Sequence, residues 1–136
     1  YDGISVEYVN PLTGGPALPT IACFASLLRS GQHTKAHRHT GSTIYHVIKG
    51  RGTSIISGRT YDWDEKDTFV VPSWTYHEHR ATTETVLFSY SDAAILPALG
   101  LYREEALEEN DGHQTVTGIF QPLPVPERFL AGSPKA

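Results

Sequence analysis

The sequence predicts an all-β domain built from short antiparallel strands. Three observations support this fold class: β-branched and aromatic residues are concentrated in short runs, glycine, proline and aspartate separate the runs, and long helices do not alternate with them. Such spacing is typical of a sandwich or a small barrel rather than of a βαβ fold. At 136 residues, the chain has the length of a single domain.

Eight strands are predicted, in chain order. Val, Ile, Thr, Tyr and Phe dominate each run, and turn sequences such as SG at 57–58 lie between runs. The runs are SVEYVN (5–10), TIACFASLL (20–28), TIYHVIK (43–49), TSIIS (53–57), RTYDW (59–63), DTFVVP (67–72), YHEHRA (76–81) and TVLFSY (85–90).

The chain is expected to divide into four segments. The helical prediction for the third segment depends on Asp92 as an N-cap and on helical spacing after it, with breaks at Pro97 and Gly100. The segments are an N-terminal arm with the first strand (1–19), a β-barrel core (20–91), a helical segment (92–109) and a Pro-rich arm (110–136).

The C-terminal arm carries apolar side chains that need a covering surface. Ile119 and Phe120 precede Pro122, the first proline of this arm, and Phe129 and Leu130 lie between Pro126 and Pro134. We therefore expect the terminal arms to contact a second domain or an identical subunit.

Composition limits the classes of partner. The net charge is −4 and no dense cluster of Lys and Arg occurs, so a nucleic-acid groove is not expected. No apolar run is long enough for a membrane span. The single cysteine, Cys23, is typical of a reducing compartment, so we expect a cytoplasmic protein.

Histidines provide the strongest functional signal. His37 and His39 are two positions apart, and on an extended strand they point to the same side, roughly 6.5 Å apart. His77 and His79 repeat this arrangement after the next Pro-containing turn. If the strands enclose a barrel, His37, His39 and His77 converge on one metal ion, and His79 faces the same interior.

At these positions the chain resembles the cupins, whose fold is an antiparallel double-stranded β-helix, or jelly-roll barrel. The first cupin motif begins here at Gly31, with Thr43 in the place of its glutamate. The second motif ends at His77, with Lys66 and Trp74 where two glycines are typical.

Longer stretches are similar to gentisate 1,2-dioxygenases and their salicylate and hydroxynaphthoate relatives. These stretches are EYVNPLTGGPALPTI, HTKAHRHTGS, VVPSWTYHEH and ALGLYREEAL, and the similarity covers roughly residues 4–109. The resemblance implies iron(II) held by His37, His39 and His77 without a carboxylate, and His79 as the active-site histidine.

The resemblance also concerns the substrate contacts. Trp74 is expected at the substrate together with Trp63, and Tyr45 stands where the family's catalytic cupin has an arginine that grips the substrate carboxylate. This departure is typical of the second, C-terminal cupin of such an enzyme.

The function implied is that of an iron-dependent dioxygenase that uses O2 to cleave the ring of hydroxylated aromatic acids such as gentisate. One alternative is a metal-containing but non-catalytic half of a two-cupin subunit, which serves assembly. Another is a different metal cupin, such as an isomerase or small-ligand binding protein, that holds Zn, Mn or Ni, since affinity order does not select iron.

Overall fold

The structure is a computed structural model that describes residues 3–124, and these residues form two β-sheets. The strands are β1 (Ile4–Tyr8), β2 (Ala22–Leu28), β3 (His37–His39), β4 (Thr43–Lys49), β5 (Gly52–Ile56), β6 (Arg59–Trp63), β7 (Thr68–Val71), β8 (His77–Ala81), β9 (Thr85–Ser91), β10 (Glu104–Ala106) and β11 (Gly118–Ile119). Two 3-10 turns, Asp92–Ala94 and Glu109–Gly112, are the helical elements of this part of the chain.

The two sheets have the strand orders β1-β2-β9-β4-β7 and β10-β3-β8-β5-β6-β11. All pairs are antiparallel except β11, which runs parallel to β6. Neighbours in space come from distant parts of the sequence, as with β2 and β9. The predicted all-β jelly-roll fold is confirmed.

The hydrophobic core draws on both sheets. Leu28, Val47 and Leu87 come from the five-stranded sheet, and Trp63 and Ala81 from the six-stranded sheet. Burial alternates along β5 and β9, which places every second side chain inside. The same alternation places the side chains of some polar residues of these strands, such as Ser54 and Ser89, in the interior.

All eight predicted strands are present, with boundaries within two residues of the predicted ones. The histidine segment predicted to be extended is strand β3. Strands β10 and β11 lie in segments for which no strand is predicted.

The helical prediction for residues 92–109 is wrong. Within this segment the first turn, Asp92–Ala94, is a short 3-10 helix, and Glu104–Ala106 is strand β10. Proline cannot continue a helix and glycine is a poor helix former, so Pro97 and Gly100 stop the helix from propagating.

Strand β10 replaces the helix because it gains specific partners along β3. The Glu105 carboxylate accepts a hydrogen bond from the Arg38 guanidinium at 2.9 Å and another from the Tyr76 hydroxyl at 2.8 Å. Glu104 and Glu105 therefore belong to a strand at the edge of the six-stranded sheet and not to a helix.

The C-terminal arm lies along the six-stranded sheet as far as it is described. The backbone N–H of Thr117 donates to the Gly58 carbonyl, and that of Phe120 donates to the Thr60 carbonyl. The Phe120 ring stacks on Tyr61, with ring centroids 4.9 Å apart. Phe129 and Leu130, for which contacts with another domain are predicted, lie outside the described residues.

Between residues 3 and 124, no helix combines the length and the apolar character that crossing a membrane would require.

Candidate metal centre

Three imidazoles meet inside the barrel. His37 and His39 lie on β3, and His77 lies opposite His37 in the antiparallel pair of β3 and β8. The ring centroids of His77 are 4.5 Å from His37 and 5.1 Å from His39. One nitrogen from each ring lies within 4.8 Å of the others, so the three residues predicted as metal ligands are brought together.

The hydrogen bonds of His77 orient its ring toward this cluster. Its Nδ1 lies 3.0 Å from the Thr75 carbonyl oxygen, which can only accept, so Nδ1 carries the proton. Its Nε2 then has a free lone pair, is buried, and has no hydrogen-bond partner among residues 3–124. The second His nitrogen of a metal ligand commonly donates to a carbonyl in this way.

Burial keeps the His77 imidazole neutral. The pKa of His77 is lowered to about 2, chiefly because burial penalises the charged ring, and further by the nearby His79 and His37. A neutral imidazole is the form that coordinates metal ions. The donor set, with a buried and unpartnered Nε2, fits a divalent cation such as iron(II), zinc or nickel.

His79 faces the same interior but lies outside the three-nitrogen cluster. Its ring centroid is 5.7 Å from that of His77, and its Nε2 is buried without a described partner. Its Nδ1 lies 2.7 Å from the Ser54 Oγ. Burial, and secondly electrostatic repulsion between the ring and the nearby His37, lower the pKa of His79 to about 3, so this ring is also neutral.

A buried hydrogen-bond relay sets the tautomer of His79. The indole N–H of Trp63 donates to the Ser54 Oγ at 2.8 Å, so the serine hydroxyl accepts there and has one proton to give. Among the described residues its remaining partner is the His79 Nδ1. The neutral ring then carries its proton on Nε2, which makes His79 a hydrogen-bond donor to the interior.

A cavity of about 220 Å³ lies against these histidines. Tyr45 and His79 line it, with ring centroids 4.9 Å apart, and so does Thr43, the residue in the place of the cupin glutamate. No Lys or Arg is among the described residues that line the cavity. Further hydroxyl groups in the lining belong to Ser5, Ser26, Thr34, Ser89, Ser91 and Tyr102.

The two tryptophans predicted as substrate contacts do not line this cavity. Trp63 is buried in the core and stacks on Phe69, with ring centroids 6.1 Å apart. Trp74 is 38% exposed, and the Arg38 guanidinium lies over its ring at 4.4 Å. Their direct contact with a substrate stays a prediction.

Two features of the site are missing from the sequence-based prediction. Ser54 is predicted only as a strand residue, without a role in the site. Alternation along the strand TSIIS places its side chain on the inner face together with Ile56, and this signal could have identified it. Tyr102 lies in the segment predicted as helical, so its position at the cavity could not be anticipated.

A family model described as a cupin domain matches residues 26–90. The chain contains a cupin domain. Its sequence is 47% identical over 121 residues to 5-aminosalicylate 1,2-dioxygenase of Comamonas sp, a match that covers 88% of this chain and 32% of the relative. It is 45% identical over 102 residues to gentisate 1,2 dioxygenase 1 of Aquipseudomonas alcaligenes, which covers 75% of this chain and 29% of that protein.

The cupin domain also matches a solved structure of the same group. The crystal structure of a salicylate 1,2-dioxygenase from Pseudaminobacter salicylatoxidans superposes with a TM-score of 0.73 at 40% identity, over 74% of this chain and 29% of that chain. The predicted resemblance to cupins and to gentisate 1,2-dioxygenases is therefore confirmed. The chain spans about a third of the length of the curated relatives it matches.

Proposed function

We propose that this chain is a cupin domain of a non-haem iron(II) dioxygenase that cleaves the ring of hydroxylated aromatic acids such as gentisate. The observation that carries the proposal is the convergence of His37, His39 and His77 beside a cavity that also contains the unpartnered His79 Nε2. Similarity to dioxygenases of aminosalicylate, gentisate and salicylate supports this reaction class.

The size of the cavity suits a single substituted aromatic ring. An engineered cavity of about 150 Å³ in another protein holds benzene, and the present cavity measures about 220 Å³. Its wall combines apolar side chains such as Leu87 with several hydroxyl groups. Such a wall accepts an aromatic face and hydrogen-bonds ring substituents.

Charge favours an acidic ligand only when a metal is bound. Three neutral imidazoles leave a divalent ion with its full +2 charge, and no cationic side chain is among the described residues lining the cavity. A carboxylate with an adjacent ionised hydroxyl supplies two negative charges. An iron(II) ion held by His37, His39 and His77 would supply Lewis-acid binding of those oxygens and activation of dioxygen.

The residues around the cavity have separate tasks in this proposal. His79 donates its Nε2 proton in a hydrogen bond to an oxygen of the bound acid, in a site where burial strengthens that bond. Tyr45 lines the cavity beside His79 and supplies its hydroxyl without adding positive charge. Leu28 and Leu87 are buried beside the cavity and exclude water from one side.

A second function is favoured by one specific observation. The cavity lacks a cationic side chain among its described lining residues, and Tyr45 stands where the resemblance predicts an arginine. A metal-holding cupin without turnover, which serves assembly with a second cupin domain or an identical subunit, fits this observation. Ile119 is 69% exposed at the sheet edge and belongs to the arm that would make the contact. A cytoplasmic location is part of both proposals, because Cys23 is a free thiol.

The deciding experiment is oxygen uptake by protein loaded anaerobically with iron(II). Gentisate and salicylate are supplied separately, and His77→Ala is the metal-free control. Uptake that depends on substrate and on His77 supports the dioxygenase. One equivalent of iron without uptake supports the assembly function, and an absence of iron binding refutes both.

A further inference from the structure

A second group of metal-ligating side chains lies on the opposite face of strand β8. Side chains alternate along a strand, so Glu78 points away from the interior that His77 and His79 face. On that outer side it meets His33 and His113, which come from the loop before β3 and from the C-terminal segment. Three distant parts of the chain thus converge on one carboxylate.

The contacts in this outer cluster are short. The Glu78 Oε2 lies 2.8 Å from the His33 Nε2 and 2.8 Å from the His113 Nδ1. The other carboxylate oxygen, Oε1, accepts the Gln114 backbone N–H at 2.7 Å. The two imidazole rings stack with centroids 4.2 Å apart. One ligand atom from each of the three side chains lies within 4.8 Å of the others.

The charge of Glu78 is not balanced by a permanent cation. Its side chain is fully buried, and the ion pairs of the described chain give it no Lys or Arg partner. His33 and His113 balance the carboxylate only when one of them holds an extra proton. A buried anion without a cation is costly, so a divalent cation at this position would be strongly stabilised.

We propose that His33, Glu78 and His113 form a second cation-binding site, which takes a zinc-class ion and is separate from the central cluster. Imidazole nitrogen and carboxylate oxygen are zinc ligands at about 2.0–2.2 Å, which places neighbouring ligand atoms roughly 3.3 Å apart. The observed 2.8 Å contacts need to open by only about half an ångström. Both imidazoles are about one third exposed, which leaves a route of entry and a fourth position for water.

The site would fasten the C-terminal segment to the strand that carries the central histidines. The segment already hydrogen-bonds to this part of the sheet through the Gln114 backbone N–H on Glu78. A bound ion adds a link between His113 and the loop that holds His33. Binding to the folded state alone raises stability with ion concentration.

The test uses protein stripped with a chelator and then titrated with zinc(II). A His37→Ala/His39→Ala background removes the central cluster. In that background calorimetry is expected to give one equivalent of zinc and a zinc-dependent rise in Tm. Adding His33→Ala and His113→Ala is expected to remove both effects. His46→Ala is the matched control, because this histidine bonds to Thr68 and belongs to neither cluster.

A second measurement needs no substitution of His33 or His113, so its result does not depend on whether those variants fold. Long-range ¹H–¹⁵N spectra of the background protein report each imidazole ring, and zinc is expected to shift the ring nitrogens of His33 and His113 but not those of His46. No bound zinc in the background protein, or unmoved ring signals of His33 and His113, would overturn the proposal. Retained binding after removal of both histidines would overturn it too. Zinc binding at the central site is measured separately, as the number of zinc equivalents that the protein loses when His37 and His39 are replaced.

Discussion

Replacing Ser54 with alanine tests the buried relay that orients His79. The Ser54 Oγ accepts from the Trp63 indole at 2.8 Å and contacts the His79 Nδ1 at 2.7 Å. All three side chains are buried, so water does not readily replace the lost hydroxyl. Two polar groups lose their partner in a single substitution.

The magnitude follows from the number of groups left unpaired. A buried donor or acceptor without a partner costs about 1–3 kcal/mol. The full cost applies to the Trp63 N–H. The cost is smaller for the His79 ring, because this ring borders the cavity and can hydrogen-bond to water there. We therefore expect Ser54→Ala to lower the free energy of unfolding of the metal-free protein by about 2–4 kcal/mol.

The assay is urea unfolding combined with a double-mutant cycle. In a Trp63→Phe background the indole donor is gone, so Ser54→Ala is expected to cost about 1–2 kcal/mol less than in the parent protein. Ser89→Ala is the matched control, since Ser89 is also a buried serine of the barrel interior and the described residues give its hydroxyl no partner. It is expected to cost less than about 1 kcal/mol.

Two results would refute this reasoning. The first is a loss in the free energy of unfolding below about 0.5 kcal/mol for Ser54→Ala, because losses of that size are typical of substitutions that contact no buried group. The second is the same cost in both backgrounds, because the serine and the indole would then be energetically independent.

Three further predictions concern the histidines and one buried glycine. Metal analysis and oxygen uptake are expected to show that His77→Ala removes bound iron, whereas His79→Ala retains it and lowers turnover; unchanged turnover would remove His79 from the mechanism. Metal-free protein is expected to lose stability as pH falls from about 6.5 toward 4, by about 1.4 kcal/mol per pH unit for each of His77 and His79. The sign follows because the unfolded rings take up protons below about 6.5, whereas the folded pKa values are about 2 and about 3. Chemical denaturation across this pH range measures the slope, and a flat profile would contradict it. Gly52→Ala is expected to destabilise the fold by about 2 kcal/mol or more, since a Cβ there would lie 2.2 Å from the Arg80 carbonyl oxygen and 2.6 Å from the Trp63 ring. Gly118→Ala is the control in the same thermal melt, because a Cβ at Gly118 would have no atom within 4 Å. Equal losses of stability in the two variants would show that the structure adjusts to relieve the contact at Gly52.

The strands of the barrel core were predictable because each carries its own local signal. TIYHVIK and RTYDW combine β-branched and aromatic residues, and both strands have the predicted boundaries. Local parity also indicated which side chains share a face, so the approach of His37 to His39 followed from their spacing. The convergence of His77 needed the fold class in addition, because it depends on the pairing of β3 with β8.

Contacts made by chain segments without regular patterns were not predictable. Strand β10 forms because Glu105 finds Arg38 and Tyr76 across β3, and none of these partners is close in sequence. His113 is partly exposed and lies in the C-terminal segment. Its link to Glu78 depends on the path of the C-terminal segment, which has no periodicity from which a path could be inferred.

Strand β8 explains how two such different environments lie so close together. Its alternation sends His77 and His79 into an interior where burial keeps both rings neutral, and sends Glu78 to the outer side, where it meets two partly exposed imidazoles. Neutral rings leave any bound ion at full charge, and the interior offers no cationic side chain among its described lining residues. An acidic ligand in the cavity therefore depends on the metal for its charge balance. Under the proposed function, the affinity for an anionic aromatic ring would therefore follow metal occupancy and not the protein wall.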